Sequence, residues 1–255
     1  MSLPRPNWVA RLGGAVLFYT RLPLPPWWRP SFEGIAALAP VVGLGIGGLV
    51  ALADLGWQWV GVPVLTRSAL GVGLWLWLTG GLHLDGAMDT ADGLAVMAPE
   101  RRLAVMADSR TGAFGVMAAI AILGLKTLAL TDLATGRGAV LIAAAVWGRW
   151  GQVVTIARYP YLKPEGKGAL HKPHLRPAQD MGLGLVVALL LHGLWGWLWT
   201  DQVWLVLSSL GGGFVLALMI GAWLNHRFGG HTGDTYGATV EWTETLLLCL
   251  ATIVT

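Results

Sequence analysis

A single cysteine, Cys249, stands among 255 residues, so no disulfide closes within the chain and no Cys/His spacing suggests zinc. Charge is scarce as well. Asp, Glu, Lys and Arg make up 12% of the sequence, against about 25% in a soluble domain. That shortage excludes an ordinary water-soluble globule, and no low-complexity linker or separate soluble domain breaks the chain. Apolar residues fill the space: 55% of the sequence is hydrophobic and the mean hydropathy is +0.62. The 15 Trp suit interfacial belts, and the 36 Gly suit close helix packing in lipid.

Apolar runs of near-spanning length occur at about 34–55, 64–82, 113–132, 139–157, 181–199, 203–225 and 238–255. Because lipid demands internally satisfied backbones, the expected fold is all-α: a polytopic integral membrane helical bundle of about seven transmembrane helices. A shorter apolar stretch, Gly13–Tyr19, lies between Arg11 and Arg21 and lacks an A-x-A-like cleavage site. It reads as an N-terminal interfacial or re-entrant helix rather than a signal peptide. The whole chain, 1–255, is expected to form one membrane-embedded domain. Thirteen of the 17 Lys and Arg fall on one side of this topology. They lie before the first span (Arg5, Arg11, Arg21, Arg29), after the second (Arg101, Arg102, Arg110), after the fourth (Arg158 to Arg176) and at Arg227. Arg67 and Arg137 fall on the other side. The positive-inside rule makes the first side cytoplasmic, with the polar loops 83–112 and 226–237 facing it.

Residues 79–93 read T-G-G-L-H-L-D-G-A-M-D-T-A-D-G. On a helix, Asp85, Asp89 and Asp92 fall at i, i+4 and i+7 and share one face. Three carboxylates beside an apolar run repel one another and lose hydration, which a divalent cation relieves. Oxygen-only ligands suit Mg²⁺, with Mn²⁺ the other candidate. The competing reading is a helix start whose dipole favours acids, although capping needs one carboxylate and not three. Further on, Asp108 is a candidate fourth ligand, and Arg110 offers a planar fork to phosphate oxygens. Here the competing reading is a positive-inside flank with a helix cap.

A second polar stretch, G-G-H-T-G-D-T-Y-G at 229–237, is followed by Glu241 and Glu244. Its glycines allow close backbone approach to a ligand, and Thr232, Gly233, Asp234 and Glu241 are candidate contacts, with Asp234 also a metal candidate. A plain turn between spans is the alternative. Asn225 and Arg227 end the sixth span beside this stretch and join the candidates. Lys126 and Arg149 sit inside spans at a cost of roughly 2.5–3.5 kcal/mol each, so they need partners. The aspartates or substrate phosphates are the expected ones, with a structural ion pair or snorkelling as the alternative. Asp54 reads as interfacial, His192 as a packed core histidine, and His171 and His174 as solvated.

Together, the 79–93 stretch, R-R-L-A-V-M-A-D-S-R-T-G at 101–112 and G-G-H-T-G-D-T-Y-G-A-T-V-E at 229–241 resemble the cobalamin synthase family. So do T-R-L-P at 20–23, P-V-V-G at 40–43, the span lysine Lys126, G-R-W at 148–150 and A-R-Y at 157–159, the last of which adds Arg158 to the phosphate-binding candidates. The 160–180 loop departs from the family pattern. The resemblance implies a transferase of coenzyme B12 nucleotide-loop assembly in a prokaryotic cytoplasmic membrane, with its active site facing the cytoplasm. The implied substrates are adenosylcobinamide-GDP and α-ribazole or its 5′-phosphate, with Mg²⁺ as cofactor, membrane lipids as surroundings and no nucleic acid. Two other readings stand beside it. A CDP-alcohol phosphatidyltransferase shares acidic-helix chemistry, but its D-G-x2-A-R order is absent. A transporter explains intramembrane charge but predicts paired acids near the midplane and an internal repeat.

Overall fold

The computed structural model describes residues 7–163 and 166–255; Arg5, counted above among the basic flanks, lies outside them. Ten α-helices occur among the described residues: α1 (Trp8–Tyr19), α2 (Ala39–Trp59), α3 (Val64–Thr79), α4 (Leu82–Ala95), α5 (Arg102–Val105), α6 (Ala113–Asp132), α7 (Arg137–Arg158), α8 (Pro177–Leu198), α9 (Val203–Phe228) and α10 (Gly233–Ala251). Short 3₁₀ turns at Ile35–Leu38 and Lys167–His171 precede α2 and α8. The only strand-like pairing among the described residues is an isolated bridge between Tyr161 and His231.

The centre of the bundle is α7, with 17 of its 22 residues buried. It packs on α2, α8, α9 and α10. Small residues make this possible. A Cβ on Gly43 of α2 would lie 2.5 Å from the Ala145 carbonyl oxygen, and one on Gly47 would lie 2.6 Å from Ile142 Cα. The two backbones therefore meet directly, as in membrane helix pairs where small residues replace a hydrophobic driving force. Outer helices show the opposite pattern. In α8 only Asp180, Gly184, Ala188, His192 and Trp195 are buried, a single stripe, while Leu183, Leu190 and Leu194 face outward. A helix apolar all round with one narrow packed seam is suited to lipid on its remaining faces.

Five segments are long and apolar enough to cross a membrane: Ile35–Trp59, Ala113–Asp132, Arg137–Arg158, Pro177–Leu198 and Thr200–Phe228. The chain is a polytopic membrane protein. Two of the seven expected spans differ from expectation. The second stops at Thr79, because Gly80 and Gly81, at φ +61° and +74°, turn the chain out of α3 and into α4. The seventh, α10, forms as a helix but carries Asp234, Glu241 and Glu244 and has 13 of its 19 residues buried. It is an inner helix, sheathed by α4, α6, α7 and α9. The 83–112 stretch is likewise no simple loop: its first half is α4, laid against α10 and α6.

Most of the buried charge is ion-paired; buried Asp180 instead accepts the Arg176 backbone N–H. Asp54, expected at an interface, is 5% exposed and receives Arg137 through two 2.8 Å bonds, with Ser68 alongside. His192 is a core residue, as expected. It donates from Nδ1 to the Ala188 carbonyl, and its Nε2 lies 3.1 Å from the Ser209 hydroxyl.

Candidate active site

The aspartates of 79–93 do lie on one helix, and what faces that helix decides their roles. α4 and α10 touch backbone to backbone. A Cβ on Gly86 would come within 2.7 Å of the Asp234 carbonyl oxygen, and one on Gly237 within 2.8 Å of the His83 carbonyl oxygen. These glycines bring Asp85 and Asp89 of α4 close to Asp234 at the start of α10. The start itself is fixed by a capping box. The Thr232 hydroxyl accepts from the Asp234 and Thr235 amides, and the Thr235 hydroxyl accepts from the Thr232 amide. Gly229, at φ +77°, serves the turn between α9 and α10, Gly233 is the first residue of α10, and Thr232 is a buried cap rather than an open phosphate contact.

Asp85 is exposed. Partial burial first, then the negative charges of Asp85, Asp234 and Asp92, push the Asp89 carboxyl up to about 6 against the pull of Lys163. Asp234 accepts from Lys163 Nζ at 2.8 Å and from the Thr232 hydroxyl at 3.1 Å. Lys163 reaches it because the 160–162 segment is stitched to the α9–α10 turn by two bonds, Leu162 N–H to His231 O and His231 N–H to Pro160 O. Among the described residues no three His, Cys, Asp or Glu side chains are close enough to enclose a metal ion. The carboxylates Asp85, Asp89 and Asp234 are gathered but do not form a closed shell. As an oxygen-only, anion-crowded donor set they fit a hard divalent cation that takes its remaining ligands from phosphate and water.

Two expected metal ligands are otherwise engaged. Both oxygens of Asp92 accept backbone N–H groups at the start of α6, Gly112 to Oδ2 and Gly115 to Oδ1, each at 2.8 Å. A Cβ on Gly112 would lie 2.4 Å from Asp92 Oδ1, so the glycine makes room for the carboxylate. Asp92 is a cap for α6 supplied from α4. Asp108 pairs at the surface with Arg110, at 2.7 Å, and this bonding holds its carboxyl down at about 2. Neither Asp108 nor Arg110 joins the cluster.

The intramembrane cations also take partners other than those expected. Lys126 and Arg149 are 3% and 0% exposed, and they pair with Glu241 and Glu244 of α10 rather than with the aspartates. Lys126 Nζ lies 2.6 Å from Glu241 and 2.5 Å from Glu244, and Arg149 Nη1 donates to Glu244. Glu241 is therefore part of a buried ion network. Arg158 and Arg227 are exposed, and Asn225 is partly buried at the end of α9, where its carbonyl accepts from Gly229 N–H.

Sequence reading missed the cavity beside the carboxylates. A hollow of about 220 Å³ is lined by Asp85, Asp234 and Lys163 at one end and by His83, Gln152, His171 and Tyr236 deeper in. His171, expected in solvent, is 2% exposed, and its burial pushes the imidazole down to about 4. It stacks on Tyr19 at the end of α1, with ring centroids 6.1 Å apart. A signal existed for Gln152, a polar residue three positions after Arg149 inside an apolar span. For His171 there was none, since its sequence neighbours are basic and polar.

Because Asp92 holds α6, its loss should act on stability. Asp92→Ala is expected to cost about 0.5–2 kcal/mol, as for other lost caps. Thermal melting in detergent should fall while turnover per folded molecule persists. A raised Mg²⁺ requirement at unchanged melting would instead return Asp92 to the metal ligands.

A family model described as cobalamin-5-phosphate synthase matches residues 11–252. A relative named adenosylcobinamide-GDP ribazoletransferase, from Trichormus variabilis, is 55% identical over 241 residues, covering 94% of this chain and 96% of its own. Proteins of the same name from Synechocystis (48% over 239 residues, 93% and 92% covered) and Synechococcus elongatus (51% over 242 residues, 95% and 96% covered) are similar along the same length. No solved structure matches. With a match that runs from α1 into the end of α10 and takes in both acidic stretches, the chain belongs to the cobalamin-5-phosphate synthase family.

Proposed function

We propose that this chain is an adenosylcobinamide-GDP ribazoletransferase. It would join adenosylcobinamide-GDP to α-ribazole or α-ribazole 5′-phosphate at the cytoplasmic face of a prokaryotic inner membrane. In the reaction a ribose hydroxyl oxygen of the acceptor bonds to the phosphorus on the aminopropanol arm. The anhydride bond from that phosphorus to GMP breaks, GMP leaves, and the hydroxyl proton passes to base or solvent. The observation that carries this reading is the gathering of Asp85, Asp89 and Asp234, with Asp85, Asp234 and Lys163 lining one cavity, in a chain of this family.

Phosphoryl transfer asks a protein mainly to position and to stabilise charge. Asp85, Asp89 and Asp234 would hold Mg²⁺, or Mn²⁺ in its place, which when bound neutralises the pyrophosphate and the charge on departing GMP. Lys163 Nζ, ion-paired to Asp234, is placed to exchange that partner for a phosphate oxygen. The capping box and the Gly86–Asp234 contact keep both carboxylate sources in register before substrate arrives. The cytoplasmic assignment is supported by the Lys and Arg excess on the side of these motifs.

Membrane vesicles test the reaction, the metal and the orientation together. Inside-out vesicles with Mg²⁺ and both substrates should release GMP, right-side-out vesicles should not, and excess EDTA should stop release. No GMP from the inside-out preparation would refute the reaction. Release only from the other orientation would reverse the topology, and release in EDTA would remove the metal.

A further inference from the structure

The cavity behind the carboxylates has a floor rich in unanswered hydrogen-bonding groups. Both ring nitrogens of His83, Oε1 of Gln152, Nδ1 of His171 and the Tyr236 hydroxyl are buried without a partner. All four side chains line the cavity, and none is more than 4% exposed. They come from four separate elements: α4, α7, the 167–171 turn and α10. Buried polar atoms are nearly always paired in folded proteins, so five from four residues converging on one hollow mark the edge of a polar ligand. The surrounding side chains are flat. Tyr161 stacks on Tyr236 at 5.9 Å, and His171 lies 7° from parallel to Tyr19.

We propose that this cavity is the base pocket for the guanine of the GDP-bearing donor, recognised by Gln152, Tyr236, His83 and His171. The inference rests on the reaction proposed above and names where one part of its substrate binds. Size supports it. At about 220 Å³ the hollow is smaller than the range of about 300–1,000 Å³ typical of drug-sized ligands, so it admits one fused bicycle and not a corrinoid. A wider groove of about 640 Å³ meets it at Phe18, Leu82 and Asp85 and carries Arg21 on its rim, which leaves room for the bulkier part. The two spaces meet at Asp85, where the phosphates must lie.

Hydrogen-bonding capacity favours guanine over the acceptor's base. Guanine offers a carbonyl, a ring N–H, an amino group and bare ring nitrogens, enough to answer all four floor residues. The benzimidazole of α-ribazole has one free ring nitrogen and would leave most of the floor unpaired, which is costly in a buried site. His171, kept neutral by burial, also suits an uncharged heterocycle better than a phosphate.

Equilibrium binding to the full chain in nanodiscs tests this, with GMP, AMP and α-ribazole as probes. Wild type should hold GMP roughly tenfold or more tighter than AMP, the scale of one or two hydrogen bonds. The near-isosteric variants Gln152→Met and Tyr236→Phe should each erase most of that preference while leaving α-ribazole binding unchanged. Absence of the preference in wild type would overturn the assignment, as would its survival in both variants. Weakened α-ribazole binding with intact GMP binding would give the pocket to the acceptor instead. The wild-type comparison stands even if a variant fails to fold. GMP release from vesicles without a GMP preference would overturn only the pocket, whereas a GMP preference without any transfer would overturn only the reaction.

Discussion

Asp89→Asn should reduce turnover on the order of 100-fold or more and at the same time raise the melting temperature of the substrate-free protein. The two effects have one cause. Burial and three neighbouring carboxylates oppose the charge on Asp89, so the resting fold carries a repulsion that an amide of equal size removes. The same anion is what a bound cation requires. Asp85→Asn should match the loss of turnover with a smaller rise in melting, because it relieves only its own share of that repulsion and, being exposed, carries little burial cost. The double variant should be hardly worse than either single one, since a ligand set fails as a unit. Turnover and thermal melting measured on the same purified samples check this. If both variants melt lower while retaining activity per folded molecule, the aspartates are structural and the metal reading is lost.

Glu244→Gln should nearly abolish folded protein in the membrane. Glu244 is fully buried and answers two cations, Lys126 and Arg149, across three helices. Removing one member of a buried ion group leaves uncompensated charge and typically costs about 3–5 kcal/mol. A domain's net stability is only about 5–15 kcal/mol. The Lys126→Met change, made together with Glu244→Gln, removes one cation with the anion and should restore much of the expression. Quantitative blotting of membranes and size-exclusion profiles read both. Normal accumulation of Glu244→Gln with lost turnover would instead move this network into the catalytic machinery.

The helical bundle and the acidic helix were legible in the sequence because both depend on local periodicity. Asp85, Asp89 and Asp92 share a face whatever surrounds them. Their separate fates were not legible, because the partners that distinguish them are distant. The amides that take Asp92 lie 20 and 23 residues on, at Gly112 and Gly115. The need of Lys126 for a partner followed from its apolar span, but the partners lie 115 and 118 residues away on a helix that read as an ordinary span. α10 misled for a related reason. Buried on most sides by protein, it tolerates acids that a lipid-facing helix would exclude. The cavity was hidden for the same cause: His83, Gln152, His171 and Tyr236 converge only in three dimensions.

The direct contact of α4 with α10 sets a limit on how this enzyme can change. With Gly86 against the Asp234 backbone and Gly237 against that of His83, the spacing between the two acidic helices has no slack to give up. Neither helix can move to suit a bulkier nucleotide without losing register at both glycines. The 160–162 stretch is held differently, to the α9–α10 turn by two backbone bonds and not by a glycine against a helix backbone. Variation in substrate preference between relatives should therefore concentrate in that stretch, while the two acidic helices keep their spacing.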